Sequence, residues 1–224
     1  TSINVTAENS FNYLDKFPEF VDGATYMDMY NKASLARNSS ATPKYSATDM
    51  ERTASGVNPY LYPDVNWQDE LLHKNALQQT YFINARGGGS LARYYLSMGM
   101  SNESAAYKQD KNSKYSAKVG YRTVNYRSNL DINLTKSTAL YFGADGFIST
   151  KSEPGNNDTD ALWATQRNLT PITIPTIYST GHLPAYGVDN AYSPYVMLNK
   201  TGMTNIRHYR GKATLELKQD LSML

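Results

Sequence analysis

Apolar and polar residues alternate with a period of two over six stretches of the chain, the signature of β-strands whose two faces meet different surroundings. In the clearest of them Val124, Tyr126, Leu130, Ile132 and Leu134 fall on one side, and Thr123, Asn125, Arg127, Asn129, Asp131 and Asn133 on the other. The same division separates Tyr94, Leu96, Met98 and Met100 from Arg93, Tyr95 and Ser97, and Leu140, Phe142, Ala144 and Ile148 from Tyr141 and Asp145. It returns with Ala213, Leu215 and Leu217 against Lys212, Thr214, Glu216 and Lys218, and with Ile3, Val5 and Ala7 against Asn4, Thr6 and Glu8. The faintest case sets Tyr81, Ile83 and Ala85 against Phe82 and Asn84. These patterns predict antiparallel strands near residues 1–10, 77–86, 91–102, 115–134, 138–151 and 206–222, each beside the next in sequence.

The connections have two very different lengths. Gly87-Gly88-Gly89-Ser90 and Thr135-Lys136-Ser137-Thr138 are of hairpin size. Residues 11–76, 103–114 and 152–205 are far longer, and an up-and-down order puts all three at the opposite end from the short turns. Within them short helices are expected at 24–36, 48–55 and 158–168, the last capped by Asp158 or Thr159. Pro171, Pro175, Pro184 and Pro194, with Gly181 and Gly187, predict irregular chain after that helix. Short turns at one rim, long loops at the other and strands with one apolar face are the pattern of a transmembrane antiparallel β-barrel. The expected class is therefore all-β, with short helices confined to long loops.

Composition narrows the chemistry. The 224 residues include no cysteine, so thiol catalysis, disulfides and cysteine-held zinc are excluded. Charged residues make up 19%, tyrosine reaches 19 copies, and a net charge of +2 gives no reason to expect nucleic-acid binding. No apolar run is long enough for a membrane-crossing helix, which leaves a β-barrel untouched. Charge is unevenly placed: residues 86–136 carry nine Lys or Arg and three Asp or Glu, whereas residues 11–76 carry six and nine.

Familiar motifs carry little. Gly87 to Gly89 lacks the Lys-Ser/Thr ending of a phosphate loop and reads as a tight turn. His73, His182 and His208 are scattered without a carboxylate at ligand spacing, so no metal or other cofactor is expected. Asp69 with Glu70, or Asp158 with Asp160, could serve glycoside hydrolysis only if held across a bond, and nothing in the spacing holds them there. Loop aromatics point more clearly to a ligand, because sugar rings stack their C–H faces on aromatic faces. Trp67, Trp163, Tyr178, Tyr186 and Tyr192 are the candidates for glycan or partner contact, with packing among the loops as the competing role.

Several blocks carry a resemblance: Tyr62-Pro63-Asp64-Val65-Asn66-Trp67-Gln68, Ala85-Arg86-Gly87-Gly88-Gly89 and Ala92-Arg93-Tyr94-Tyr95-Leu96-Ser97-Met98-Gly99. With Tyr126-Arg127-Ser128-Asn129-Leu130-Asp131, Leu140-Tyr141-Phe142-Gly143 and Leu169-Thr170-Pro171-Ile172-Thr173-Ile174-Pro175, the chain resembles the SusC family of TonB-dependent outer-membrane glycan transporters. The resemblance implies a barrel of roughly 22 strands with a plug in its lumen, joined to a SusD-type lipoprotein and driven through TonB. It also implies an outer-membrane protein that imports starch-like oligosaccharide without making or breaking a bond. On this reading residues 1–224 are the first part of the barrel domain, about six strands, with the plug and the closing strands outside the chain.

In that setting Asn125, Arg127, Asn129, Asp131 and Asn133 would line the lumen. The opposite face would meet outer-membrane lipid, and the parity of Arg122 and Lys118 continues that face above the apolar band, where they are expected to meet lipopolysaccharide phosphates. A non-catalytic carbohydrate-binding β-sandwich on the cell surface is the alternative, and a glycosidase the third reading.

Overall fold

The computed structural model describes residues 1–13, 15, 18–110, 118–155, 159–184 and 193–221. Six strands, β1 (Ser2–Tyr13), β2 (Asn75–Gly88), β3 (Ala92–Ser104), β4 (Gly120–Asn133), β5 (Thr138–Pro154) and β6 (Met203–Gln219), form one antiparallel sheet in sequential order. Among the described residues the sheet is open, with β1 and β6 at its edges. Five helices, α1 (Gly23–Arg37), α2 (Ala47–Ser55), α3 (Trp67–Leu71), α4 (Thr159–Asn168) and α5 (Pro194–Asn199), all lie in the three long connections.

Register explains why the alternation in sequence is so clean. Every ladder runs without a bulge, so cross-strand partners share a face from edge to edge. Val5, Ile83, Met98, Tyr126 and Gly146 form one row across the sheet, and Gly211 completes it. The glycine there has a use: a Cβ on Gly146 would lie 2.3 Å from the ring of Tyr126, which occupies the space instead. On the other face the row Asn84, Ser97, Arg127, Asp145 and Lys212 is polar throughout.

The two hairpin turns are built by different means. Gly88 has φ +143°, and a Cβ there would sit 2.4 Å from the carbonyl oxygen of Ala92. The β4–β5 turn closes on hydroxyls, Thr135 Oγ1 bonding Thr138 Oγ1 at 2.8 Å and accepting from Ser137 N at 3.2 Å. Asn133 joins the two turns, its Nδ2 donating to the Ser90 carbonyl at 2.7 Å.

The largest boundary difference from the sequence expectation is the start of β4, while β1 runs on to Tyr13, β5 to Pro154, and β6 begins earlier, at Met203. Residues 111–117 fall outside the described set, and β4 begins at Gly120 rather than near 115. Val119 is buried among loop residues, its carbonyl accepting from Ala105 N at 3.0 Å. Gly120 permits the change of direction, because a Cβ there would be 2.6 Å from the Glu103 carbonyl oxygen.

The buried apolar core belongs to the loops, and among the described residues none of its members lies on a strand. Trp67, Leu71, Val119, Leu162, Met197 and Leu198 cluster beneath the long connections, with Tyr107, Ile174 and Tyr195 packed against them. By contrast Val5, Leu215 and Leu217 on the sheet are 71%, 72% and 65% exposed. No helix among the described residues is long and apolar enough to cross a membrane.

Candidate functional site

The long loops form a cap, and two of the sequence blocks singled out above meet inside it. Ser46, Asn66 and Ser193 cap α2, α3 and α5 with side-chain oxygens. Asp22 caps α1, its carboxylate accepting from Thr25 N at 2.8 Å and Thr25 Oγ1 at 3.0 Å. Those bonds from Thr25 hold the Asp22 carboxyl below the usual aspartate range. Asp64 then takes the Gly23 amide at 2.7 Å, and Val65 N donates to the Pro171 carbonyl at 2.9 Å. The approach at Gly23 is close: a Cβ would lie 2.8 Å from both Ile172 and Thr53.

The loop after β3 is tied in as firmly. Leu72 and Tyr107 form an isolated antiparallel bridge, with His73 N donating to the Ala106 carbonyl at 2.7 Å. Asp110 joins this loop to α5, its amide donating to Asn199 Oδ1 at 2.9 Å and its carboxylate pairing with Lys200. Tyr195 Oη donates to the same carboxylate at 3.2 Å. Burial, with the charge of Asp160 nearby, pushes the Tyr107 hydroxyl up to about 12, so it stays protonated.

Between these loops lies a hollow of about 350 Å³, lined by Asp22, Asp64, Asn66, Trp67, Gln68 and Gln166 among others. Trp67, a candidate for glycan or partner contact with loop packing as the competing role, is 4% exposed and sits in the loop core. Packing is thus the role its indole fills, because α3 turns it inward at its first residue. Its Nε1 and both polar atoms of Gln166 are buried and have no hydrogen-bond partner among the described residues. Trp163 is half-buried on α4. Tyr178 is exposed, its ring centroid 6.0 Å from that of Tyr60, which is exposed as well. Exposed Tyr30 forms a second aromatic group with half-buried Tyr45, 5.5 Å between centroids, beneath the ammonium of Lys44. Tyr186 and Tyr192 lie outside the described residues.

On the polar sheet face, Asn125 and Arg127 are exposed and Asn129 and Asp131 half-buried. Asn129 accepts from Tyr141 Oη at 3.3 Å. Asn125, Arg127, Asp145, Phe147, Arg210 and Phe82 border an open hollow of about 590 Å³. Asn133, at the turn end of the row, is engaged with Ser90 instead.

The fold itself has a solved counterpart. Over 96% of its length the chain superposes on 26% of a chain of the RagAB peptide importer in the closed-closed state, with a TM-score of 0.54 and 15% identity. The likeness is one of fold, and this chain spans about a quarter of that one. No protein-family model and no curated protein matches the sequence.

Parity in the sequence places Asn125, Arg127, Asn129, Asp131 and Asn133 on one face of a strand, as β4 does, but four residues of the cap escaped it. The roles of Asp64 and Gln166 could not be read because each depends on residues distant in the chain, Gly23 for Asp64 and the Asp64–Gln68 stretch for Gln166. Tyr60 and Tyr30 were overlooked among many tyrosines, although their place in the longest connection was a usable signal. Among the described residues no group of three or more His, Asp or Glu side chains could hold a metal ion. His182 Nδ1 instead shares a 2.8 Å hydrogen bond with Thr180 Oγ1.

Proposed function

We propose that the chain is part of the wall of a TonB-dependent outer-membrane importer, working with a SusD-type lipoprotein to carry starch-like oligosaccharides. One observation carries the reading: the apolar face continues across all six strands and has no covering layer among the described residues. A carbohydrate-binding sandwich would bury that face against a second sheet. From Val124 to Leu134 the apolar face of β4 and the residue after it run about 34 Å along the strand, or about 25 Å in height at a barrel's usual tilt. That is the height of the lipid-facing band of outer-membrane barrels.

The polar face then lines the lumen, where Asn125, Arg127, Asn129 and Asp131 offer hydrogen bonds to a plug or a passing cargo. The cap faces outward, toward the lipoprotein. Tyr60 and Tyr178 supply an accessible aromatic pair for a sugar ring, and no bond is made or broken in transit. A second reading of the cargo, a peptide, is favoured by the structural counterpart, which is described as a peptide importer.

Lysine at Met98, in the middle of the apolar band, should cost about 2–4 kcal/mol in lipid and deplete the full-length protein from the outer membrane. Lysine at Ser97, one residue away on the polar face, should not. Equal depletion by both, or a wild-type protein that stays dispersed without detergent, overturns the barrel. Uptake of labelled maltooligosaccharide against labelled oligopeptide decides the cargo.

A further inference from the structure

Directly beyond the apolar row Ala7–Tyr81–Met100–Val124–Ile148–Tyr209 lies a row of different character, Asn9–Gln79–Asn102–Arg122–Thr150–Arg207, and only at β1 and β2 do apolar residues, Phe11 and Leu77, return beyond it. Its six residues are all polar and none is acidic. Arg122 and Arg207 flank Thr150 on neighbouring strands, so both guanidinium groups leave the sheet on the same side as the apolar rows. They stand one step above Val124 and Tyr209, about 7 Å along the strand. The next row at these strands, Ser104–Gly120–Ser152–Asn205, holds no carboxylate either, and its Ser152 Oγ is taken up by Asn205 at 2.7 Å.

Both arginines are exposed, and among the described residues neither has a carboxylate within ion-pair distance. Among the described residues the one polar contact of the Arg122 side chain is Nη2 to Met100 Sδ at 3.3 Å, a weak acceptor that leaves most of its donors open. An open hollow of about 520 Å³ extends over them, bordered by Arg122, Thr150, Arg207, Ser152, Asn102 and Lys118. Lys118 precedes β4, so strand parity does not place it, but it reaches the same hollow. Glu103 also borders the hollow, with its carboxylate engaged by Gln78 Nε2 at 3.3 Å on the polar face.

We infer that this hollow holds the phosphate of an anionic lipid headgroup, gripped by Arg122 and Arg207 with Lys118 at its rim. The inference rests on the barrel reading, since it needs the apolar rows below to face acyl chains. Lipid is the source that geometry favours over a soluble phosphate: the cations sit where headgroups lie if Val124, Ile148 and Tyr209 meet hydrocarbon, and Tyr209 and Tyr81 occupy the interfacial position usual for aromatics. Guanidinium forks bind phosphate bidentately, and two forks on the strands either side of β5, about 10 Å apart at the backbone, can converge on one phosphate group or on two of one headgroup.

The test uses full-length protein purified in detergent, with lipid A and phosphatidylcholine as probes retained through washing. Arg122→Ala with Arg207→Ala should lower retained lipid A by about ten-fold and leave phosphatidylcholine unchanged. Arg122→Lys with Arg207→Lys should restore part of the loss, which a folding defect would not allow. Unchanged lipid A retention in the alanine pair overturns the inference while the barrel stands. Equal loss of both lipids also overturns it, as does displacement of lipid A by millimolar inorganic phosphate. If wild-type protein needs no detergent, the barrel reading itself has failed.

Discussion

Trp67 shows how a side chain that sequence leaves between two roles, contact and packing, is assigned by its burial. Tryptophan in a polar loop suggests a stacking surface, yet here the indole is a core residue among Leu71, Leu162 and Leu198. Trp67→Ala in the full-length protein should therefore destabilise the cap by about 3–5 kcal/mol and make the long loops susceptible to protease, whereas Trp67→Phe should keep most of the protection. Tyr178→Ala should leave protection intact, its ring lying exposed against Tyr60. Equal protease sensitivity for Trp67→Ala and Tyr178→Ala would refute this division of roles. A sequence names the residue type; whether α3 turns it inward depends on Asn66 capping that helix and on loops far away.

At the level of elements, the strands were legible because each has one apolar and one polar face, and a bulge-free register keeps that parity across the sheet. Helices α1, α2 and α4 follow the expected positions within one residue or so at each end. Two were not foreseen. Helix α3 has five residues, too short for any period to show, and α5 sits in a stretch whose prolines suggested irregular chain. The signal for α5 was nonetheless present as Ser193-Pro194, an N-cap followed by proline at the first helical position. The hairpin turns carry their own requirement: Gly88→Ala places a Cβ against the Ala92 carbonyl at a positive φ. That change should cost about 1 kcal/mol or more and reduce the fraction of full-length protein that migrates as a folded barrel, while Gly89→Ala, with open space around it, should not.

For the whole molecule, the polar row facing one side could be read from parity alone, whereas the cap could not, because it is assembled from chain segments 40 to 100 residues apart. The bonds from Gly23 to Asp64, Val65 to Pro171 and Asp110 to Asn199 each join different parts of the long connections. Every strand pairing, by contrast, links consecutive strands. This division has a consequence for assembly in time. Neighbouring hairpins can zip as they meet, and the first connection can join the second through Leu72 and Tyr107, but the amides of Val65 and Asp110 have no partner until β5 has brought the last connection alongside, so their closure reports that β1 to β5 are in place. In a pulse-labelling experiment on the refolding full-length protein, amides of β2 and β3 should gain protection before those of Val65 and Asp110; the reverse order would mean that the loops template the strands.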